Sequence, residues 1–159
     1  MQFGVWIKEG GVLSKIAWFT HYPERKLEWT LAIYTLLFGL FLILPATSMN
    51  TRSFTTALAF MPEGSWGAVY IVVGILHNIA LHINGRAAWT PFARLLALFL
   101  NSQVFLGLAL GVGTSNPWST AVFTYGFFAA GFCGAAIFTA AVDCGREFKI
   151  WQARHDTTR

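Results

Sequence analysis

The sequence predicts an all-α membrane protein, a four-transmembrane-helix bundle with an N-terminal interfacial amphipathic segment. Composition is the first observation: of 159 residues, 55% are hydrophobic and only 11% are charged, against about 25% charged residues in soluble chains. Four long apolar segments are the second, each close to the roughly 20 residues that a helix needs to cross a bilayer. A chain of this length is one domain, and its low charge excludes a disordered protein or a nucleic-acid-binding tail.

Prolines bound the four predicted spans. The spans cover residues 23–44, 65–83, 91–112 and 117–142. Every proline lies at the end of a span or between spans, where a missing backbone N–H breaks no helical hydrogen bond: Pro23, Pro45, Pro62, Pro91 and Pro117. The first span begins too far from Met1 to be a cleavable signal peptide. We therefore predict an interfacial arm at 1–22, a transmembrane domain at 23–145 and a basic cytoplasmic tail at 146–159.

The lysines and arginines predict the orientation of these spans. Ten of the eleven fall on one predicted side, and Arg52 falls on the other. Because cytoplasmic segments carry the excess of Lys and Arg, both termini are expected in the cytoplasm. The net charge of +4 then suits the anionic inner leaflet, so the lipid bilayer is the expected partner and nucleic acid is not. Residues 3–22 are expected to lie on this leaflet; a bent arm packed on the bundle is the alternative.

Polar residues inside the spans predict a network. If the second and third spans form a tight hairpin, residues whose numbers sum to about 172 lie at equal depth, so Arg94 is level with Asn78. Asn101 follows Arg94 by seven residues and shares its helix face. The predicted intramembrane polar network comprises Glu28, Asn78, His82, Arg94, Asn101 and Asp143. A structural role is preferred over a transport or proton-relay role: Arg94 is near enough to the boundary to snorkel to the headgroups, and we expect Asp143 or Glu28 to hold it at the cytoplasmic end.

The same residues argue against a cofactor or a catalytic centre. His77 and His82 are five residues apart, about 140° around a helix, so they cannot both face one metal ion or haem. Cys133 and Cys144 are eleven residues apart on one predicted span, about 16 Å by helical rise, which is too far for a disulfide. Nucleophile triads, phosphate-binding loops and paired intramembrane carboxylates are absent from the sequence. We therefore predict no enzyme, no catalytic residue, no metal site and no cofactor.

Small residues at helical spacing predict close helix packing. Gly107 and Gly111 form a GxxxG pair on the third span, and Gly126, Ala130 and Gly134 form a stripe on the fourth. Such residues let two helix backbones approach closely in lipid. Two alternatives stay open: packing within the monomer, or self-association into a homo-oligomer.

The order of several short motifs resembles a known group of proteins. A first span ends in Leu-Pro, Ser65-Trp66-Gly67 opens the second, and Ser115-Asn116-Pro117 with Ser119-Thr120-Ala121 opens the fourth. Over residues 23–142 this resembles small four-span membrane proteins encoded by tailed bacteriophages and prophages, most of them uncharacterised. The resemblance implies the topology and a phage setting in a bacterial inner membrane, and it carries over no catalytic residue.

Two functions follow as hypotheses. The first is a non-enzymatic phage-type membrane protein that acts by assembling in the host membrane, as a holin-like lysis factor or as an envelope modulator such as a superinfection-exclusion protein. The second is a small-molecule or ion carrier, or an accessory subunit of a membrane transport or redox complex, which would use Asn78, His82, Arg94 and Asn101.

Overall fold

The computed structural model of the chain describes residues 25–44, 48–84 and 89–156. Within these ranges the chain is all-α, as the sequence predicts, and contains no strand. Its helices are α1 (Lys26–Ile43), α2 (Thr55–Phe60), α3 (Glu63–His82), α4 (Thr90–Ser115), α5 (Thr120–Gly126) and α6 (Cys133–Asp156). A π-helical segment, Phe127–Phe132, joins α5 to α6 into one continuous helix, and a short 3-10 turn, Arg52–Phe54, precedes α2. The predicted arm at 1–22 lies outside the described residues.

Four of these helices are long and apolar enough to cross a membrane, which confirms the predicted four-span bundle. They are Lys26–Ile43, Glu63–His82, Thr90–Ser115 and the continuous helix Thr120–Ala153. The fourth helix does not end near residue 142, as the sequence boundaries predict, but continues to Asp156. Good helix formers such as Arg146, Glu147 and Lys149 follow residue 142, and no proline interrupts them. The chain is therefore a multi-pass membrane protein whose last helix extends past its apolar part.

Helices α1 and α3 meet along a seam of three glycines. A methyl group added at Gly39 would lie 2.8 Å from the Gly67 carbonyl oxygen, and one added at Gly67 would lie 2.9 Å from the Gly39 carbonyl oxygen. Two turns after Gly67 on α3, a methyl group added at Gly74 would lie 2.7 Å from the backbone nitrogen of Leu36. The two backbones are therefore in direct contact, which only residues without a side chain permit in this kind of helix pair.

Helix α4 lies at the centre of the bundle. It buries a residue every three or four positions on one face: Arg94, Leu98, Asn101, Phe105, Leu108 and Val112. At one end it packs on α2, where a methyl at Gly111 would meet the Ala57 methyl at 2.8 Å. Trp66 of α3 covers Gly107 and donates from its indole Nε1 to the Ala57 carbonyl oxygen at 3.0 Å. Helix α2, which the sequence did not reveal as a helix, thereby closes this end of the bundle.

One aromatic ring from each span meets in the core. The rings of Tyr34 and Phe128 stack at 4.7 Å between centroids, and Phe105 lies 5.2 Å from both Phe128 and Tyr70. The Tyr70 hydroxyl donates to the Val104 carbonyl oxygen at 3.0 Å, so its polar atom is satisfied. Offset and edge-to-face pairs of this kind add about 0.5–1.5 kcal/mol each beyond their burial. This cluster holds the four spans together above the polar residues described next.

Candidate functional site

An arginine lies buried between two helices at one end of the bundle. Arg94 follows the first turn of α4, and its side chain is only 1% exposed. Its Nε donates to Glu28 Oε2 at 2.9 Å and its Nη2 donates to Glu28 Oε1, so the pair is bidentate. The Glu28 side chain is 3% exposed. A planar guanidinium matches a carboxylate in this way, whereas a lysine cannot.

Two further helices complete the partners of Arg94. Its Nη1 donates to Asp143 Oδ2 of α6 at 3.1 Å and to Asn84 Oδ1, just after α3, at 3.3 Å. Asp143 also pairs with Arg25 at 3.6 Å. We call Glu28, Asn84, Arg94 and Asp143 the charged layer. With Arg25 it contains two cations and two anions, so the charges that the bundle buries are balanced, which is the condition for burying them at all.

A second polar set lies one heptad deeper, about 10 Å along the helices. It consists of Thr35, His77 and Asn101, which we call the neutral layer, and all three are buried. Each follows or precedes a member of the charged layer by seven residues on its own helix. Asn101 Nδ2 lies 2.9 Å from His77 Nδ1, and Thr35 Oγ1 donates to Asn101 Oδ1. The neutral layer therefore ties α1, α3 and α4 together by side-chain hydrogen bonds.

The geometry fixes which nitrogen of His77 carries the proton. Asn101 Nδ2 also lies 3.1 Å from the Ala97 carbonyl oxygen. Because a carbonyl oxygen only accepts, the amide nitrogen and not its oxygen must face Ala97 and His77. His77 Nδ1 is then the acceptor, and the ring proton resides on Nε2. Within the described part of the chain this buried Nε2 has no hydrogen-bond partner, so a donor is left free inside the bundle.

The structure brings some of the sequence-predicted polar residues together and separates others. Glu28, Arg94 and Asp143 are joined in the charged layer, and Asn101 belongs to the neutral layer. Asn78 bonds within its own helix, and His82 lies at the surface of the bundle. The Asn78 amide donates to the Gly74 carbonyl oxygen of its own helix at 2.8 Å, and the His82 side chain is exposed.

The predicted register between the second and third spans was wrong, which explains this difference. Arg94 is level with Asn84, six positions beyond Asn78, the residue expected to face it. Asn101 is likewise level with His77. The residues that face inward here are therefore His77 and Leu81 of α3 and Asn84 just after it, at the spacing i, i+4 and i+7. Asn78 and His82 lie on the face beside it.

Sequence reasoning missed three members of the two layers: Thr35, His77 and Asn84. The spacing of seven was a usable signal. It separates Glu28 from Thr35 and His77 from Asn84, as it separates Arg94 from Asn101. The snorkelling of Arg94 was also wrong, because Glu28 comes to the guanidinium inside the bundle and the side chain has no exposed path to follow.

The small residues divide into an inner and an outer set. Gly107 and Gly111 pack against Trp66 and Ala57 of the same chain. A methyl group added at Gly126 or Gly134 would meet no atom within 4 Å, and Ala130 between them is exposed. Packing within the monomer therefore accounts for the first pair and not for the stripe on the fourth span, which faces outward.

The chain offers no built metal centre in the part that the structure describes. No group of three or more His, Cys, Asp or Glu side chains is placed to hold an ion there. Cys133 and Cys144 are both free and buried in the helix α6. The two polar layers are thus the candidate functional site.

The chain matches no protein-family model, no curated protein and no solved structure. Function is therefore inferred from the residues and their arrangement.

The neutral layer makes a testable contribution to stability. Replacing Asn101 by leucine leaves His77 Nδ1 without its donor and removes the hydrogen bond from Thr35, whose hydroxyl keeps only the Leu31 carbonyl oxygen at 2.7 Å. We therefore expect a loss of about 1–2 kcal/mol in the free energy of unfolding in detergent or bicelles. Asn78→Leu is the matched control, because Asn78 bonds only to its own helix; we expect about 0.5 kcal/mol or less. Equal losses for the two variants would contradict the role assigned to the neutral layer.

Proposed function

We propose that this chain is a non-enzymatic phage-type integral protein of the bacterial inner membrane that acts by assembling there, as a holin-like lysis factor or as an envelope modulator of the superinfection-exclusion kind. The observation that carries the proposal is the outward stripe of Gly126, Ala130 and Gly134 on the fourth span. Small residues with nothing against them in their own chain are suited to close contact with a helix of another copy.

The burial of the spans supports assembly through the fourth helix. Of the most apolar part of the fourth span, 17% is buried within the chain, compared with 33–44% for the other three. Large side chains flank the stripe and are exposed as well, among them Phe123 and Phe138. A helix that contributes so little to its own bundle has area available for a partner. The phage setting rests on the resemblance of the opening motifs of the second and fourth spans.

The orientation proposed for the chain has both termini in the cytoplasm. Within the described residues, five Lys and Arg residues lie toward the end of the bundle where α1 begins: Arg25, Lys26, Arg94, Arg146 and Lys149. Arg52 lies at the other end. This asymmetry is the one that places a bundle end in the cytoplasm. Reporter fusions after Arg159 and within 113–116 test it: we expect a cytoplasmic signal from the first and a periplasmic signal from the second, and the reverse would refute the orientation.

Inducible expression tests the proposed function itself. The wild-type chain should slow growth or change the membrane potential, and Gly126→Leu with Gly134→Leu should weaken that effect about tenfold at equal folded yield, because each leucine prevents close helix contact. Ala68→Leu is the control, since Ala68 is exposed on α3 and outside the stripe. If the glycine variants keep the full effect, or if they fail only by misfolding, assembly through this stripe is refuted.

A carrier or an accessory subunit of a transport or redox complex is the second candidate function. The free Nε2–H of His77, buried beside Asn101, favours it, because buried polar groups in membrane spans commonly mark ligand or proton routes. His77→Phe separates the two candidates. Compared at equal folded yield, it should abolish solute or proton flux if the second is correct, and it should leave the growth effect unchanged if the first is correct.

A further inference from the structure

An apolar groove runs along the outside of α1 where the π-helical segment faces it. Its volume is about 170 Å³, and it is lined by Leu27, Thr30, Leu31, Tyr34, Phe128 and Phe132. The α1 residues follow the i, i+3, i+4, i+7 spacing of one helix face. They extend for about 10 Å along the helix, starting one residue after the beginning of α1. The groove is therefore open to the lipid side and runs inward from the bilayer boundary.

The π-helical segment shapes the other wall. Its rings Phe128 and Phe132 lie 5.2 Å apart in an edge-to-face arrangement. The segment is held from behind, where the Ser102 hydroxyl of α4 donates to the Ala129 carbonyl oxygen at 3.0 Å. This hydrogen bond ties the π-helical segment to α4.

A lysine lies one residue before Leu27, the first α1 residue that lines the groove. Lys26 and Thr30 are four residues apart on one face of α1, and the Thr30 hydroxyl donates to the Lys26 carbonyl oxygen at 2.8 Å. The Lys26 side chain is exposed. It has no ion-pair partner among the residues that the structure describes, whereas Arg25 beside it is paired with Asp143. Among the described residues, a positive charge without an ion-pair partner thus precedes the apolar lining of α1.

We propose that this groove is a binding site for one anionic phospholipid of the surrounding leaflet. The first part of an acyl chain lies along the groove, over the lining side chains of Thr30, Tyr34 and Phe132, and the phosphate of the headgroup pairs with Lys26. The apolar lining matches the acyl chain of a phospholipid, and the cation at the boundary end matches its anionic headgroup. The site does not depend on the proposed assembly, because Phe128 and Phe132 are the residues of the fourth span that line it, and neither belongs to the outward stripe.

Lipid retention measured by native mass spectrometry tests the site. The full chain, purified in mild detergent, is incubated with phosphatidylglycerol or phosphatidylcholine, and the retained lipid is counted. One lysine near an anionic group favours it by about fivefold, so we expect that preference for phosphatidylglycerol in the wild type. Lys26→Gln should remove the preference, and Lys149→Gln, which changes another exposed lysine, should keep it.

A second variant separates the groove from the charge. Thr30→Trp places a large ring in the groove and should lower the retention of both lipids several-fold. Ala93→Trp is its control, because Ala93 lines a different apolar groove of about 230 Å³ between α3 and α4, and it should leave retention unchanged. The proposal is overturned if Lys26→Gln and Lys149→Gln behave alike, or if Ala93→Trp acts as strongly as Thr30→Trp. It is also overturned if Thr30→Trp abolishes dimers while lipid retention stays at the wild-type level.

Discussion

Replacing Arg94 by methionine should lower the free energy of unfolding by about 3–5 kcal/mol, the largest effect that we expect from one side chain. The change leaves the Glu28 carboxylate buried with its two donors gone, and an unpaired buried charge is very costly. Unfolding of the purified chain by denaturant in bicelles, followed by circular dichroism, measures it. Arg94→Lys should lose much of the same stability, because an ammonium cannot satisfy both oxygens of Glu28.

A double variant tests whether the loss of stability comes from the unpaired charge of Glu28 or from lost packing around Arg94. Arg94→Met with Glu28→Met removes both charges and fills their space with apolar atoms, so it should recover most of the loss. Asp143 keeps Arg25 as its partner in that variant. If the double variant is as unstable as the single one, the loss comes from packing and not from the unpaired carboxylate. If Arg94→Met costs under about 1 kcal/mol, the charged layer does not hold the helices together.

A single methyl group at Gly74 should have the next largest effect, although Gly→Ala usually stabilises a helix. The new carbon would lie 2.7 Å from the Leu36 nitrogen and 2.8 Å from the Leu36 Cα, and backbone atoms cannot rotate away as a flexible side chain can. Helices α1 and α3 must separate to accommodate it, so we expect a loss of about 1–3 kcal/mol in the free energy of unfolding. Thermal unfolding in the same bicelles measures the change.

Gly134→Ala is the matched control for Gly74→Ala. It makes the same chemical change in a helix, but the added methyl meets no atom within 4 Å. Helix propensity then dominates, and the variant should be as stable as the wild type or more stable by about 0.5–1 kcal/mol. The two glycines should therefore shift stability in opposite directions. A loss at Gly134 equal to that at Gly74 would show that the stripe on the fourth span packs inside the monomer.

The large features of the fold could be predicted from the sequence because they depend on composition and length. Four apolar segments separated by prolines and short polar turns leave few alternatives for a chain in lipid. The end of the fourth span could not be placed, since the helix formers after residue 142 extend it without any apolar signal. Helix α2 was missed for a related reason: six residues give too short a pattern to recognise.

The candidate site was harder, because its geometry depends on how two helices align. The seven-residue spacing of Arg94 and Asn101 correctly placed both on one face. The depth at which α3 meets them depends on the turn between the helices, and an assumed tight hairpin placed Asn78 where Asn84 lies. The same limit applies to the glycines. The pattern of Gly126 and Gly134 predicts close packing as well as that of Gly107 and Gly111 does, and only the tertiary arrangement shows which pair faces its own chain.

Disulfide crosslinking at Ala130 tests the proposed assembly most directly. Ala130 is exposed at the centre of the outward stripe, and the native Cys133 and Cys144, both buried, are replaced by alanine to remove background. Oxidation of membranes containing Ala130→Cys should give a covalent dimer, whereas Leu37→Cys, at a position 58% exposed on α1, should give little. Assembly through the fourth span predicts that difference, and it predicts that Gly134→Leu abolishes the dimer. Equal crosslinking at both positions, or none at Ala130, would contradict it.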